Sequence, residues 1–343
     1  MSAATAEARP STARVSSYSS AFIDSGRRSR SRSRQRATTS ASAGGTSTTT
    51  TSDATTSGDA TTSGGLDPFV HEFHTELVDG RLALVSNLPP TVAACEALAF
   101  ADPPCDDADA DGLVDAWEDV ALDRLRPLRR LDEEEKLVSD PKAVIADVGR
   151  VIDAPDGFRV FVMLGYSEDY GSCGGFTGHH GDSERVALDL EPYAEGGPGG
   201  VRVRQAYTAA HEGTVSDHSM LFAGPKLADL VHGPDPKTRE PRWIVFPSAD
   251  KHATYATIAI CEGISLIPCF DEDCAPDGVD DPGAYDRLPE VVNAGEESSP
   301  RVSDLGVVGF PGDDAWKDQD FCGGLGPGTC SSAVREKLLV DPF

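Results

Sequence analysis

Short apolar runs with a period of two dominate the chain from residue 158 onward. They are FRVFVMLGY from 158, ERVALDL from 184, VRVRQAYTA from 201, RWIVFPS from 242 and ATIAI from 256, separated by Gly, Pro and Asp. A period of two turns alternate side chains to the same face of a strand. Short runs of this kind between turn residues build antiparallel sheets rather than βα units. The chain is therefore expected to be mostly β, an antiparallel β-sandwich preceded by a short N-terminal calcium-loop and helix segment and by a disordered N-terminal tail. A helical spacing interrupts the pattern once upstream. Val114, Trp117, Ala121, Leu125 and Leu128 recur every three or four residues, which predicts one amphipathic helix over 113–128 that ends near Pro127. SSAVREKLL, from 331, predicts a short terminal helix with a Ser cap.

These patterns divide the chain into four parts. Residues 1–65 are an Arg/Ser and Thr/Ser-rich tail and linker, with RRSRSRSRQR at 27–36 and TSTTTTSDATTSGDATTSGG at 46–65, and cannot bury enough apolar surface to fold. Residues 66–104 show only weak patterning and are assigned as a loosely structured segment. Residues 105–130 hold the calcium loop and its helix, and residues 131–343 the β-sandwich. The Thr-rich stretch resembles the spacers that hold bacterial surface proteins off the envelope.

Charge and cysteine content narrow the function classes. The chain has 30 Lys and Arg against 57 Asp and Glu, and its first 64 residues hold 8 Arg and 4 acidic residues. The remainder has 22 basic against 53 acidic residues, a net charge of −31. Such a body repels nucleic acid and anionic membrane and suits cations. No apolar run approaches the ~18 residues of a transmembrane segment. The eight cysteines sit mostly in loops rich in Gly, Asp and Pro, without a CxxC pair, which favours disulfides over zinc. Cys322 and Cys330 are expected to pair across GGLGPGT, and Cys269 with Cys274; a Cys95 to Cys105 bridge would pin the chain before residue 107. Disulfides imply an oxidising compartment, hence an extracellular or bacterial cell-surface location. No apolar stretch after Met1 forms a signal peptide, a conflict attributed to a misplaced start or to a signal of another form.

DADADGLVDAWE, residues 107–118, places Asp107, Asp109, Asp111, Asp115 and Glu118 at loop positions 1, 3, 5, 9 and 12 of an EF-hand, with Gly112 at position 6 and the Leu113 carbonyl at 7. Calcium takes roughly six to eight oxygens, and the glycine permits the sharp turn. With no second hand in the sequence, the loop's role reads as structural rather than sensory.

A second constellation starts at FTGHHGDSERVALDLEP, residues 176–192. The alternation turns Asp182 and Glu184 to the same side as Val186, Leu188 and Leu190, so two carboxylates lean toward a core and require a cation, a metal or strong donors. VRVRQAYTAAHEG sets Val201, Val203, Tyr207, Ala209 and His211 on one face. FPSADKHATYAT offers Lys251, His252 and Tyr255 just after the strand around Val245. His179, Asp182, Glu184, His211 and His252 thus form a candidate pocket. A divalent ion there would be magnesium, calcium or manganese. Alternatively, Asp182 and Glu184 pair with Lys251 or Arg185 and the histidines are satisfied core residues.

HHGDSE, AHEG and DKHATYA, in this order, resemble the HxGDWE, QHxGG and sHAsY blocks of the plant and fungal vacuolar protein sorting-associated protein family numbered sixty-two. LRPLRRLDEEEKL at 125–137 is similar to that family's lead-in segment, and residues 316–339 to its C-terminal ending, so the likeness covers residues 105–343. GHHGDSE is more distantly similar to the GHRHDWE heptapeptide of necrosis-inducing cytolysins, whose Asp and Glu line a divalent-metal pocket in a β-sandwich. The resemblance implies a metal or ligand pocket at Asp182, Glu184 and His179. Here Ser183 stands in place of the Trp of both families and Gly181 in place of the toxins' second His.

The function expected on these grounds is a secreted or surface-tethered, calcium-binding β-sandwich protein that recognises a glycan, lipid headgroup or surface partner through the pocket. The alternatives are a metal-dependent hydrolase using the same residues, for which His211 or Glu184 would serve as general base, and a purely structural surface protein. No GxSxG or placed cysteine supplies a nucleophile.

Overall fold

The computed structural model describes residues 66–140, 142–171, 175, 178–213, 217–261, 272–274, 285–295, 321–322, 330–331 and 334–343. Its elements run β1 Phe73–Val78, β2 Arg81–Ser86, α1 Val92–Glu96, α2 Asp115–Leu125, β3 Leu128–Arg130, β4 Ile145–Ala154, β5 Gly157–Asp169, β6 His179–Pro192, β7 Val201–Thr208, β8 Met220–Ala223, β9 His232–Pro234, β10 Pro241–Pro247, β11 Thr254–Tyr255, α3 Ile258–Cys261, β12 Asp286–Arg287, β13 Val291–Asn293, β14 Phe321–Cys322, β15 Cys330–Ser331 and α4 Val334–Leu339. The protein is mostly β, as its period-two runs predict. An eight-stranded sheet has the order β1-β2-β7-β6-β5-β4-β13, with β8 also paired to β7. A five-stranded sheet has the order β11-β10-β3-β12, with β9 on β10.

The long antiparallel β5–β6 ladder sets the core. Val160, Val162 and Leu164 on β5 and Val186, Leu188 and Leu190 on β6 point to one side, where they meet Trp117, Ala121 and Leu125 of α2 and Trp243 and Val245 of β10. The opposite face is also covered: Phe161, Met163 and Ala187 pack with Leu338 of α4 and Ala294. Helix α2 reaches the sheet at Gly149 of β4, where a Cβ would stand 2.6 Å from Leu122 Cδ2 and 2.8 Å from the backbone oxygen of Phe161, so a side chain there would force the strand or the helix to shift.

Several elements depart from the expectations. Residues 66–104, expected to be loosely structured, carry the β1–β2 hairpin, which turns at Asp79 and Gly80, both at positive φ. Two left-handed residues make the primed turn that fits strand twist. Leu82 and Leu84 of this hairpin share the core with Trp117 and Leu188, so the sandwich starts well before residue 131. ATIAI does not continue as a strand: the chain pairs only at Thr254–Tyr255 and then coils into α3. Leu128 belongs to β3, and α2 stops at Leu125.

The register of β7 also differs. Leu190 pairs with Val203 but Asp189 pairs with Gln205, which leaves Arg204 as a bulge. One extra residue flips every later side chain. Ala206 therefore joins Val203 in the main core, and Tyr207 turns to the other face with Ala187.

Cys95–Cys105 forms as expected. Cys274 pairs with Cys261 rather than with Cys269. Its bridge partner is Ser248 at the end of β10, and Phe246, Tyr255, Cys261 and Cys274 share one cluster, so the sheet selects a partner distant in sequence. Cys269 lies outside the described residues. Cys322 and Cys330 stand opposite one another in the β14–β15 ladder. Among the described residues no helix is long and apolar enough to cross a membrane.

A buried ion cluster joins the two sheets. Asp147 of β4, wholly inaccessible, bonds to Arg126 Nη1 at 2.8 Å and to Arg129 of β3. Arg129 also donates to the carbonyls of Gly165 (3.1 Å) and Ala146 (2.7 Å). Removing the carboxylate would take from Arg129 its charged partner and leave Arg126 only Asp123, at 3.0 Å, so Asp147→Ala is expected to cost about 3–5 kcal/mol, read as a lowered urea midpoint at unchanged slope.

Candidate functional site

The 107–118 loop is held in shape by its own backbone and by the segment before it. Asp107 accepts from the amides of Asp111 (3.2 Å) and Gly112 (3.0 Å), and Asp111 Oδ1 from Leu113 N (2.8 Å). Gly112 has φ +91°, a conformation that side chains rarely adopt. Val92 N bonds to Gly112 O at 3.1 Å and Val114 N to Pro90 O at 2.9 Å, so segment 90–92 pairs with the loop through its backbone. Leu113 turns its side chain into the core. Donor oxygens of Asp107, Asp109 and Asp115 lie within 4.8 Å of one another, and so do those of Asp109, Asp111 and Glu118. Glu118 is 0% exposed and Asp109 7%. The five acids proposed from the sequence thus converge at the N-terminus of α2, whose dipole favours negative charge.

The pocket residues divide between two linked polar networks. In the first, His252 is buried with φ +61°. Its Nδ1 lies 3.1 Å from Asp182 Oδ2 and its Nε2 3.4 Å from Glu135 Oε2, while its ring stacks on Tyr166 at 4.0 Å and 7°. Burial alone would lower the imidazole pKa, but the two carboxylates outweigh it and raise it to about 10. Glu135 is pushed up by burial and pulled down further by His252 and by the amides of Leu137 and Asp250, ending below its ordinary value. His179 donates from Nδ1 to Gly181 O at 2.6 Å and sets Nε2 3.3 Å from Asp169. Burial, reinforced by Asp182, raises Asp169 to about 6 against the pull of both histidines.

The second network surrounds Glu272, whose Oε1 receives His211 Nε2 at 3.0 Å and Lys251 Nζ at 3.2 Å. Burial would depress the His211 pKa, yet Glu272 leaves it raised. His211 stands in a left-handed turn after β7, and the bulge at Arg204 means that the alternation of β7 does not carry to it. Glu184 is buried with Lys337 Nζ 3.9 Å away, and burial raises its pKa to about 8 despite that lysine.

Asp182 is therefore matched by His252, and Glu184 by Lys337, not by Lys251 or Arg185, which pair with Glu272 and Glu212. The donor triplets within 4.8 Å found among the described residues lie in the 107–118 loop and not among His179, Asp182, Glu184, His211 and His252. Sequence reading missed Glu135, Asp169 and Glu272. Glu135 is hidden in the acidic run DEEE at 132–135, and only Leu137, two residues on and buried, hints that this end of the run turns inward. Nothing local marks Glu272.

Two pH effects follow. The folded-state pKa of His252 is raised from 6.5 to about 10, so its contribution is fully present below pH 6.5 and is lost as pH rises toward 10. Thermal melts should show a loss on the order of a few kcal/mol over that window, absent in His252→Gln. Glu184 is likewise raised, from 4.5 to about 8, so its contribution is lost as pH climbs through 8. Glu184→Gln is expected to match the parent at pH 4.5 and to melt higher than it at pH 9.

No family model, curated protein or solved structure matches the chain, so its function is argued from these two constellations.

Proposed function

We propose that this is an exported or surface-held protein with a structural calcium ion in its 107–118 loop, and that it recognises a glycan, lipid headgroup or surface partner through the region of His179, Asp182, Glu184, His211 and His252. The observation that carries the calcium reading is the burial of Glu118, 0% exposed, with its carboxylate among those of Asp109 and Asp111. Like charges gathered out of water repel strongly, and a divalent cation is the partner that oxygen donors at EF-hand spacing accept. Stapling by the 90–92 segment and by Cys95–Cys105 favours an ion that locks a fixed loop over one that switches it.

Export is supported by the two disulfides among the described residues. The recognition reading is supported by left-handed, non-glycine backbone at His211, Asp250 and His252; such strain gathers at functional sites. Membership of the vacuolar protein sorting-associated family numbered sixty-two is part of this proposal, and the contact of its HHGDSE and DKHATYA blocks at Asp182 and His252 favours it. A hydrolase would need a metal in this region, where His252 already engages Asp182 and no three donor groups gather among the described residues; that favours binding over catalysis.

Titration calorimetry of the purified protein is expected to show one calcium per chain, lost or weakened at least ~100-fold in Glu118→Gln, and chelation should lower the melting temperature of the parent but not of the variant. Equal calcium heats in both proteins would end the proposal for the loop.

A further inference from the structure

Glu272 enters the second polar network from a short segment, Glu272, Asp273 and Cys274, that belongs to no strand or helix. Its backbone is attached to the end of β10, where Cys274 forms an isolated bridge with Ser248 and Asp273 O accepts from Ala249 N at 2.7 Å. Its covalent attachment is the Cys261–Cys274 disulfide, which ties it to α3.

That bond stands at the root of the whole network. Cys261 and Cys274 share one apolar cluster with Ala210 and Ala253, and Ala210 precedes His211 while Ala253 stands two residues after Lys251. Two residues before Cys274, the Glu272 carboxylate meets His211 Nε2 at 3.0 Å and Lys251 Nζ at 3.2 Å. Glu272 is buried, so its charge is tolerated there only beside those two partners. Holding three residues outside any ladder costs more conformational entropy than one or two backbone hydrogen bonds return. A covalent tie lowers that cost by restricting the chain before it folds.

We infer that the Cys261–Cys274 disulfide is a redox latch on this network: closed, it delivers Glu272 to His211 and Lys251, and open, it releases them while the rest of the body stays folded. Closing it converts two thiols to one disulfide and passes two protons and two electrons to an oxidant that is itself a disulfide and leaves as a dithiol; a dithiol reductant reverses the step. The use of the latch rests on the export reading above, since an oxidising compartment is where it closes. Its test needs only purified protein, so either can fail without the other.

The full parent chain is compared with Cys261→Ala plus Cys274→Ala, which leaves Cys95–Cys105 closed, and with Glu272→Gln, which keeps every cysteine. His211 is titrated by NMR, and acetylation of Lys251 by acetic anhydride is followed by mass spectrometry. In the parent, His211 titrates above its ordinary value because Glu272 outweighs burial. In both variants it is expected to fall to that value or below, and Lys251 to be acetylated about tenfold faster or more, the effect of losing one hydrogen bond between charged groups. A His252 titration still raised as in the parent shows that the body remains folded. A double-cysteine variant folded by this measure, with His211 and Lys251 behaving as in the parent, overturns the latch. So does one that fails to fold, because the bond is then a staple of the entire body, and so does a Glu272→Gln protein indistinguishable from the parent.

Discussion

A histidinium buried between two carboxylates is the contact on which the arrangement of the pocket end depends. His252 belongs to the turn after β10, Asp182 to β6 and Glu135 to the turn after β3. Each would carry an unaffordable charge into the interior alone; together they bring the two sheets into register. Tyr166 stacks on the imidazole, and Arg129 lies over the same phenol ring at 4.7 Å. Arg129 in turn holds Asp147. A continuous line of alternating charge and aromatic surface thus runs from β4 to the His252 turn, and much of it is inaccessible to solvent. Pairs of this kind contribute little net stability over an apolar core but strongly penalise any arrangement that separates them.

The opposite charge problem is solved differently at the 107–118 loop. Five acids gather at the head of α2, and backbone amides of the loop itself serve Asp107 and Asp111. The helix they precede supplies Trp117, Ala121 and Leu125 to the main core. An ion bound there would act on the fold through α2, since Glu118 and Trp117 are neighbours on one turn. The loop is thereby tied to the sheet that carries the pocket, without any residue in common with it.

Much of the fold was legible in the sequence because it depends on local periodicity. The inward placement of Asp182 and Glu184 follows from alternation along β6, and the ladder with β5 keeps that alternation over its whole length. The same rule failed on β7, where the bulge at Arg204 reversed the later faces, and at ATIAI, where a short apolar run coiled after two paired residues. The β1–β2 hairpin did carry a signal, the Asp79–Gly80 dipeptide between apolar strands, which weak patterning on either side obscured. Cys274 took Cys261 because its bridge to Ser248 at the end of β10 sets it in the cluster that holds Cys261, a fact that short sequence separation could not convey.

The sequence by itself determined the faces of β5 and β6, the amphipathic helix and the spacing of donors around residues 107–118. These are set by repeats of two, of three to four, and of a single loop, within which each residue's neighbours are its neighbours in the chain. Only the tertiary structure decided which charges meet. Asp182 chose His252, Glu184 came beside Lys337, and His211 with Lys251 closed on Glu272. The reason is physical: a buried charge must be matched within a few ångströms, and which partner stands that close depends on how the sheets fold over one another, information that no local pattern carries.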